Sequence, residues 1–218
     1  KKMTQEIYPG VPYFILGHSM GSFILRNYIC RYGSVIDGAL LVGTGMQSKA
    51  LLWLSKATAA VVGFLKGAKH PSRFIDKGAF GGYNKRIKGA VTDFDWLSRD
   101  SDRVEAYIAD KDCGFIFTVN GFKTLFELIA RAKKRENLLK IPKELPVIFL
   151  SGEDDPVGDY GKGVKKAYQS LVDAGLADVE IKLYPQDRHE LLGEPDRRKV
   201  MEDIDIWLTK HLAIRSEI

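Results

Sequence analysis

The sequence predicts an α/β fold, a mostly parallel sheet flanked by helices and interrupted by a long helical insertion. Three observations carry that prediction. A strand–helix–strand unit lies within the first 45 residues, strand alternation disappears between residues 46 and 142, and it returns at Pro146 to run on as strand, helix, strand, helix. Strands separated by helix-length connections pair in parallel, because a parallel crossover cannot be made by a tight turn. The implied organisation is an α/β core from residues 1–45 and 143–218, with residues 46–142 as a helical insertion.

Lys1 to Ile7 reads as a helix already under way. Residues 13–17 read as a short buried strand, and residues 20–32 as a helix with Phe23, Ile24, Asn27, Tyr28 and Arg31 on successive turns. Asp37 to Val42 is a second buried strand, closing on Gly43-Thr44-Gly45. Within the insertion, residues 47–66 are apolar around much of the helical circumference, from Leu51 to Leu65, which predicts core packing. A lining for a substrate tunnel is the other use of such a helix. Gly78 to Gly82 reads as a loop, and Ser101 to Ala109 and Gly121 to Lys134 as helices. Val147 to Leu150 is a buried strand. Residues 160–174 repeat apolar side chains at Val164, Ala167, Tyr168, Leu171 and Val172, the spacing of an amphipathic helix. Gly161-Lys162-Gly163 opens that helix and lacks the spacing of a phosphate loop. Val179 to Tyr184 alternates with period two, as a half-buried strand does, and Pro195 to Leu212 is a final helix with Val200, Ile204, Trp207 and Leu208 facing inward.

Composition narrows the function classes. With 218 residues, 45% hydrophobic and 28% charged, the chain is long enough for one domain with a substantial core. No apolar run reaches the length of a membrane span. The net charge of +5 is modest, and the basic cluster Arg131 to Arg135 has no interleaved aromatics, so it reads as a solvated helix face and no nucleic-acid partner is expected. Cys30 and Cys113 make no disulfide framework; two buried thiols suit a reducing, cytoplasmic setting. No metal-ligand spacing occurs among His, Cys and acidic residues, so neither metal nor cofactor is expected.

Chemistry concentrates in Gly17-His18-Ser19-Met20-Gly21, of the form G-x-S-x-G, between a strand and a helix. That context makes it a nucleophile elbow, a sharp turn that exposes the Ser19 side chain. Gly17 and Gly21 leave room for the turn, and the first helical amides, Met20 N–H foremost, point where an oxyanion would form. A serine needs a base, and the base needs an acid. Of four histidines, His18 is adjacent to Ser19 and its side chain should leave the elbow in another direction, while His70 and His211 lie on other elements. His189 follows the last strand, at the sheet edge where open α/β sheets assemble their sites. The acid should come from Glu153-Asp154-Asp155, directly after the Val147–Leu150 strand; spacing alone does not choose between Asp154 and Asp155.

The order Ser19, Asp, His189 is that of α/β-hydrolases. The segments Tyr13 to Ser22, Leu150 to Val157 and Leu183 to Leu192 resemble the monoacylglycerol lipase/lysophospholipase branch of that fold, grouped with the serine aminopeptidase-like hydrolases. The resemblance covers essentially the whole chain. It implies an α/β-hydrolase fold in which residues 46–142 form a cap. It implies a serine hydrolase of lipid-like carboxylic esters that needs no cofactor, and a small ester substrate with an acyl chain as its partner. It also points to Asp155, because the family's acid directly precedes the Pro-Val of the second motif. The family's earlier strands and a His-Gly loop, source of a second oxyanion donor, have no counterpart before the elbow, so the chain is expected to be a fragment of a longer protein. The same residues could serve a peptidase, thioesterase or short-chain esterase, or persist in a non-catalytic binding protein.

Overall fold

The computed structural model describes residues 2–216, with side chains from residue 3 to residue 212. A short helix α1 (Lys2–Ile7) leads into strand β1 (Phe14–His18), helix α2 (Met20–Tyr32) and strand β2 (Gly38–Val42). Helices α3 (Lys49–Lys66), α4 (Arg73–Phe80), α5 (Ser101–Ala109), α6 (Val119–Arg131) and α7 (Arg135–Leu138) fill the interval before strand β3 (Val147–Gly152). Helix α8 (Lys162–Val172), strand β4 (Val179–Tyr184) and helix α9 (Arg197–Ser216) complete the chain.

The four strands form one parallel sheet in the order β1-β2-β3-β4, with Phe14 opposite Gly38, Ala39 opposite Val147, and Val147 opposite Val179. Every residue of β2 and β3 is buried, as expected of central parallel strands covered on both faces. Their side chains divide with period two. Ala39, Leu41, Val147 and Phe149 pack with Ile29 of α2 and Leu171 of α8, while Leu40, Val42, Ile148 and Leu150 pack with Val200 and Trp207 of α9.

Four expectations need correction. The first strand is not fully buried: Leu16 is 42% exposed, because among the described residues β1 has a strand on one side only. Helix α3 does not bury its whole circumference. Leu52 and Ala59 are buried, but Trp53, Phe64 and Leu65 are exposed, since α3 packs on α6 and α4 from one side. Gly78 is helical rather than loop; α4 starts from the Ser72 side chain, which caps Ile75 N–H, and turns only at Gly81. Cys30 is buried, but Cys113 is only partly so.

One buried polar contact joins the core to the helical segment. Arg26 on α2 is 2% exposed, and its guanidinium donates to Gly45 O at 2.8 Å and Ala132 O at 3.0 Å. Burial lowers its pKa to about 10, so the side chain is still a cation at neutral pH.

Candidate active site

Ser19 sits where β1 ends and α2 begins. Its φ of 52° and ψ of −121° are sparsely populated for a residue with a Cβ, and such strain is held only where surrounding bonds fix it. Here Ser19 N–H donates to Val42 O at 3.0 Å, and Ser22 returns to Ser19 O through its N–H at 2.9 Å and its Oγ at 2.6 Å. A Cβ at Gly17 would lie 2.5 Å from Gly21 O, so this turn requires glycine there. The same reasoning fails for Gly21, whose added Cβ would meet nothing within 4 Å. Met20, first residue of the helix, has no intrahelical acceptor for its amide.

The other groups come from the loops after β3 and β4, at the same edge of the sheet. Asp155 is fully buried; its Oδ1 accepts Val157 N–H at 2.8 Å and its Oδ2 faces His189 Nδ1 at 3.1 Å. Asp154 is exposed and uses its amide to bind Asp187 O at 2.9 Å. Geometry therefore pairs Asp155 with the imidazole and leaves Asp154 outside. His189 is 1% exposed, and its Nε2 is buried without a hydrogen-bond partner among the described residues. Burial works against the imidazolium, but the Asp155 charge and hydrogen bond, with a smaller contribution from Glu190, outweigh it, and the His189 pKa is raised. An imidazole fixed at Nδ1 and unpartnered at Nε2 can take up and return a proton at Nε2.

Two glycines make room for this pair. A Cβ at Gly152, the end of β3, would lie 2.0 Å from Asp187 O, so the loop bearing His189 can cross only over glycine. At Gly43, with φ of +58°, a Cβ would approach the His189 ring to 3.0 Å and His18 Nε2 to 3.2 Å. The only signal of this role in the sequence is that Gly43, with Gly45, closes a buried strand at the site edge.

His18 does not leave the site. Its ring centroid is 4.8 Å from that of His189, and its Nε2 lies 3.1 Å from His189 O. A carbonyl only accepts, so that nitrogen carries the proton. Burial, then the charge of His189, lowers the His18 pKa and keeps the ring neutral. Trp96 also packs against the His189 ring, with the two centroids 5.1 Å apart. No sequence motif marked it. His211 is engaged elsewhere, with Asp178 at 2.9 Å and Trp207 O at 2.7 Å.

Among the described residues, three sets of potential metal donors cluster in space although their sequence spacing gives no sign of it: His18, His189 and Glu190; Asp178, Glu180 and His211; and Asp187, Glu194 and Asp196. The first is the site itself. In the second, both ring nitrogens of His211 are engaged and Glu180 binds Lys210 at 2.7 Å. The third surrounds the Arg99 guanidinium.

Comparison with known proteins agrees with this architecture. The profile of the family described as serine aminopeptidase, S33, matches residues 1–196. The monoglyceride lipase of Saccharomyces cerevisiae is 28% identical over 229 residues, covering 100% of this chain and 66% of its own length. The monoacylglycerol lipase of Mycolicibacterium smegmatis is 27% identical, covering 94% of this chain and 65% of its own length. The chain thus spans about two thirds of the length of the curated relatives it matches. Among solved structures, a thermostable carboxyl esterase from Bacillus coagulans in complex with glycerol superposes with a TM-score of 0.88 at 30% identity, over 96% of this chain and 68% of that one. No helix among the described residues is long and apolar enough to cross a membrane.

Proposed function

The chain belongs to the serine aminopeptidase S33 family of α/β-hydrolases, and on that premise we propose that the protein hydrolyses carboxylic esters through an acyl-enzyme on Ser19. The observation that carries this reading is the buried Asp155–His189 pair, with Nε2 unpartnered, on the sheet edge that holds Ser19 in its strained turn. Ser19 Oγ attacks the ester carbonyl carbon as His189 Nε2 takes its proton. Met20 N–H receives the oxyanion. The tetrahedral intermediate then expels the alcohol, which leaves with the proton from Nε2. Water adds to the acyl-enzyme by the same path and releases the acid. Asp155 fixes the tautomer of His189 and offsets its positive charge.

Residues 46–142 act as a cap over this site, and the substrate carries an acyl chain. Two kinds of observation support a lipid-like ester over a peptide. The relatives include proteins named as monoglyceride lipase and carboxyl esterase, and α3 exposes Leu51, Trp53, Leu54, Val61, Phe64 and Leu65. The test is hydrolysis by the full-length protein of p-nitrophenyl esters of graded chain length, of a monoacylglycerol, and of an aminoacyl p-nitroanilide. Turnover that rises with acyl length, together with fluorophosphonate labelling at Ser19, is the expected result. Preference for acetyl esters removes the lipid assignment, preference for the anilide favours a peptidase, and no turnover with no labelling overturns the hydrolase reading.

A further inference from the structure

Arg99 belongs to the helical segment, just ahead of α5, yet its ion pairs reach the loop that carries His189. Its Nε donates to Glu194 Oε2 at 3.1 Å, and its terminal nitrogen bonds Asp187 and, at 2.5 Å, Asp196. Asp187 and Glu194 are fully buried. Glu194 is a node between the two segments, since its carboxylate also accepts the backbone N–H of Arg99 at 3.2 Å and of Arg188 at 2.9 Å. Arg188 reaches back across the junction to Asp95 O at 2.6 Å and Ser98 O at 2.8 Å. The backbones join as well: Glu190 N–H donates to Leu97 O at 2.7 Å, and His189 N–H reaches Trp96 O at 3.4 Å.

The core makes fewer polar contacts to the same loop, through Asp154 N–H to Asp187 O, the Asp155–His189 pair and His18. Three carboxylates this close are also a set that could bind a metal ion, but the guanidinium already supplies the positive charge in their midst. Burial, with repulsion from Asp196 and Glu194, lifts the Asp187 pKa to about 6, which shows how crowded with negative charge the cluster is even with Arg99 present.

We infer that Arg99 is a positioning residue for His189, so that the helical segment, rather than the core alone, sets where the imidazole sits. Without the guanidinium, Asp187 and Glu194 would face each other buried and without counter-charge. Asp187, its pKa already raised, would then take up a proton near neutral pH, but the loop also loses the guanidinium bonds that tie it to the segment, and His189 is free to shift with it. A base displaced by about an ångström loses rate far more than affinity.

The kinetic arm of the test rests on the ester-hydrolase reading, and the spectroscopic arm does not. In the full-length protein, Arg99→Ala should lower kcat roughly ten- to a hundredfold with KM for p-nitrophenyl butyrate within about twofold. It should also broaden or shift the downfield proton resonance of His189 Nδ1–H. Arg99→Lys should recover part of both, because an ammonium pairs with one carboxylate where the guanidinium fork spans several. Arg103→Ala, on the exposed side of α5, should change neither. Should Arg99→Ala fail to fold, Glu194→Gln breaks the same junction and should move the same readouts in the same direction. An Arg99→Ala protein with unchanged kcat and unchanged resonance overturns the inference, as does loss of activity that only follows the folded fraction. A wild-type protein inactive on every ester, but whose resonance moves on Arg99→Ala, refutes the hydrolase reading and keeps the positioning role.

Discussion

The two halves of the site are enclosed to different degrees. On the acid–base side, Asp155 and His189 are 0% and 1% exposed and are held by the loop after β3, the loop after β4 and the segment around Trp96. On the nucleophile side, Ser19 is half-buried on an edge strand, and its neighbours Leu16, Met20 and Ile24 are 42%, 43% and 47% exposed. The acid–base pair is positioned by packing and charge, the serine by a backbone turn. That division has a physical basis. A carboxylate strengthens an imidazolium most in a dry, fixed setting, whereas the exposure around Ser19 follows from β1 having a strand on one side only among the described residues.

The largest expected effect lies on the open side. Ser19→Ala should reduce kcat roughly a millionfold and abolish fluorophosphonate labelling, while leaving the Asp155–His189 hydrogen bond in place by proton NMR. On the enclosed side, Asp155→Asn keeps the shape but fixes the wrong tautomer, and should cost about four orders of magnitude in kcat. It should also move the pH profile. The base works as neutral imidazole, so kcat/KM falls as pH drops through the His189 pKa, which is raised above the ordinary value of about 6.5. The acid limb of the wild type should therefore have its midpoint above about 6.5, and that of Asp155→Asn should lie lower. Equal midpoints would show that Asp155 does not set the charge state.

The smaller effects test the turn itself. Gly17→Ala forces a Cβ to 2.5 Å from Gly21 O and should destabilise the protein by about 1–3 kcal/mol, read from the denaturant midpoint. Gly21→Ala meets nothing within 4 Å and adds a helix former, so it should be neutral or stabilising by up to about 1 kcal/mol. If both alanines destabilise alike in the full-length protein, the space beside Gly21 is not open there and the two glycines do not differ.

Much of the fold was legible because its signals are local. The periodicity of Val164 to Val172 and the unbroken apolar runs in β2 and β3 need no knowledge of distant partners. Asp155 stood apart from Asp154 only by resemblance, because a one-residue offset decides which carboxylate turns inward and nothing in the spacing of three acids records it. The apolar residues around much of α3 predict core packing; which side finds a partner depends on α6, more than fifty residues away in sequence. The direction of the His18 side chain and the role of Arg99 are illegible for the same reason. Their contacts to the His189 loop span 171 and 88 to 97 residues, and no local pattern encodes a bond of that reach.

Arg26 has a mechanical consequence. Gly45 is where the chain leaves the core for the helical segment, and Ala132 is where it emerges from α6 on the way back. One cation grips both carbonyls, so the segment is an arm clamped at its root. A pivot at that root would strand a buried charge, and a second fastening, the Arg99 ion pairs just ahead of α5, ties the middle of the segment to the loop after β4. Both ends of the segment thus hang on one side chain of α2, and removing the Arg26 guanidinium would release the two together.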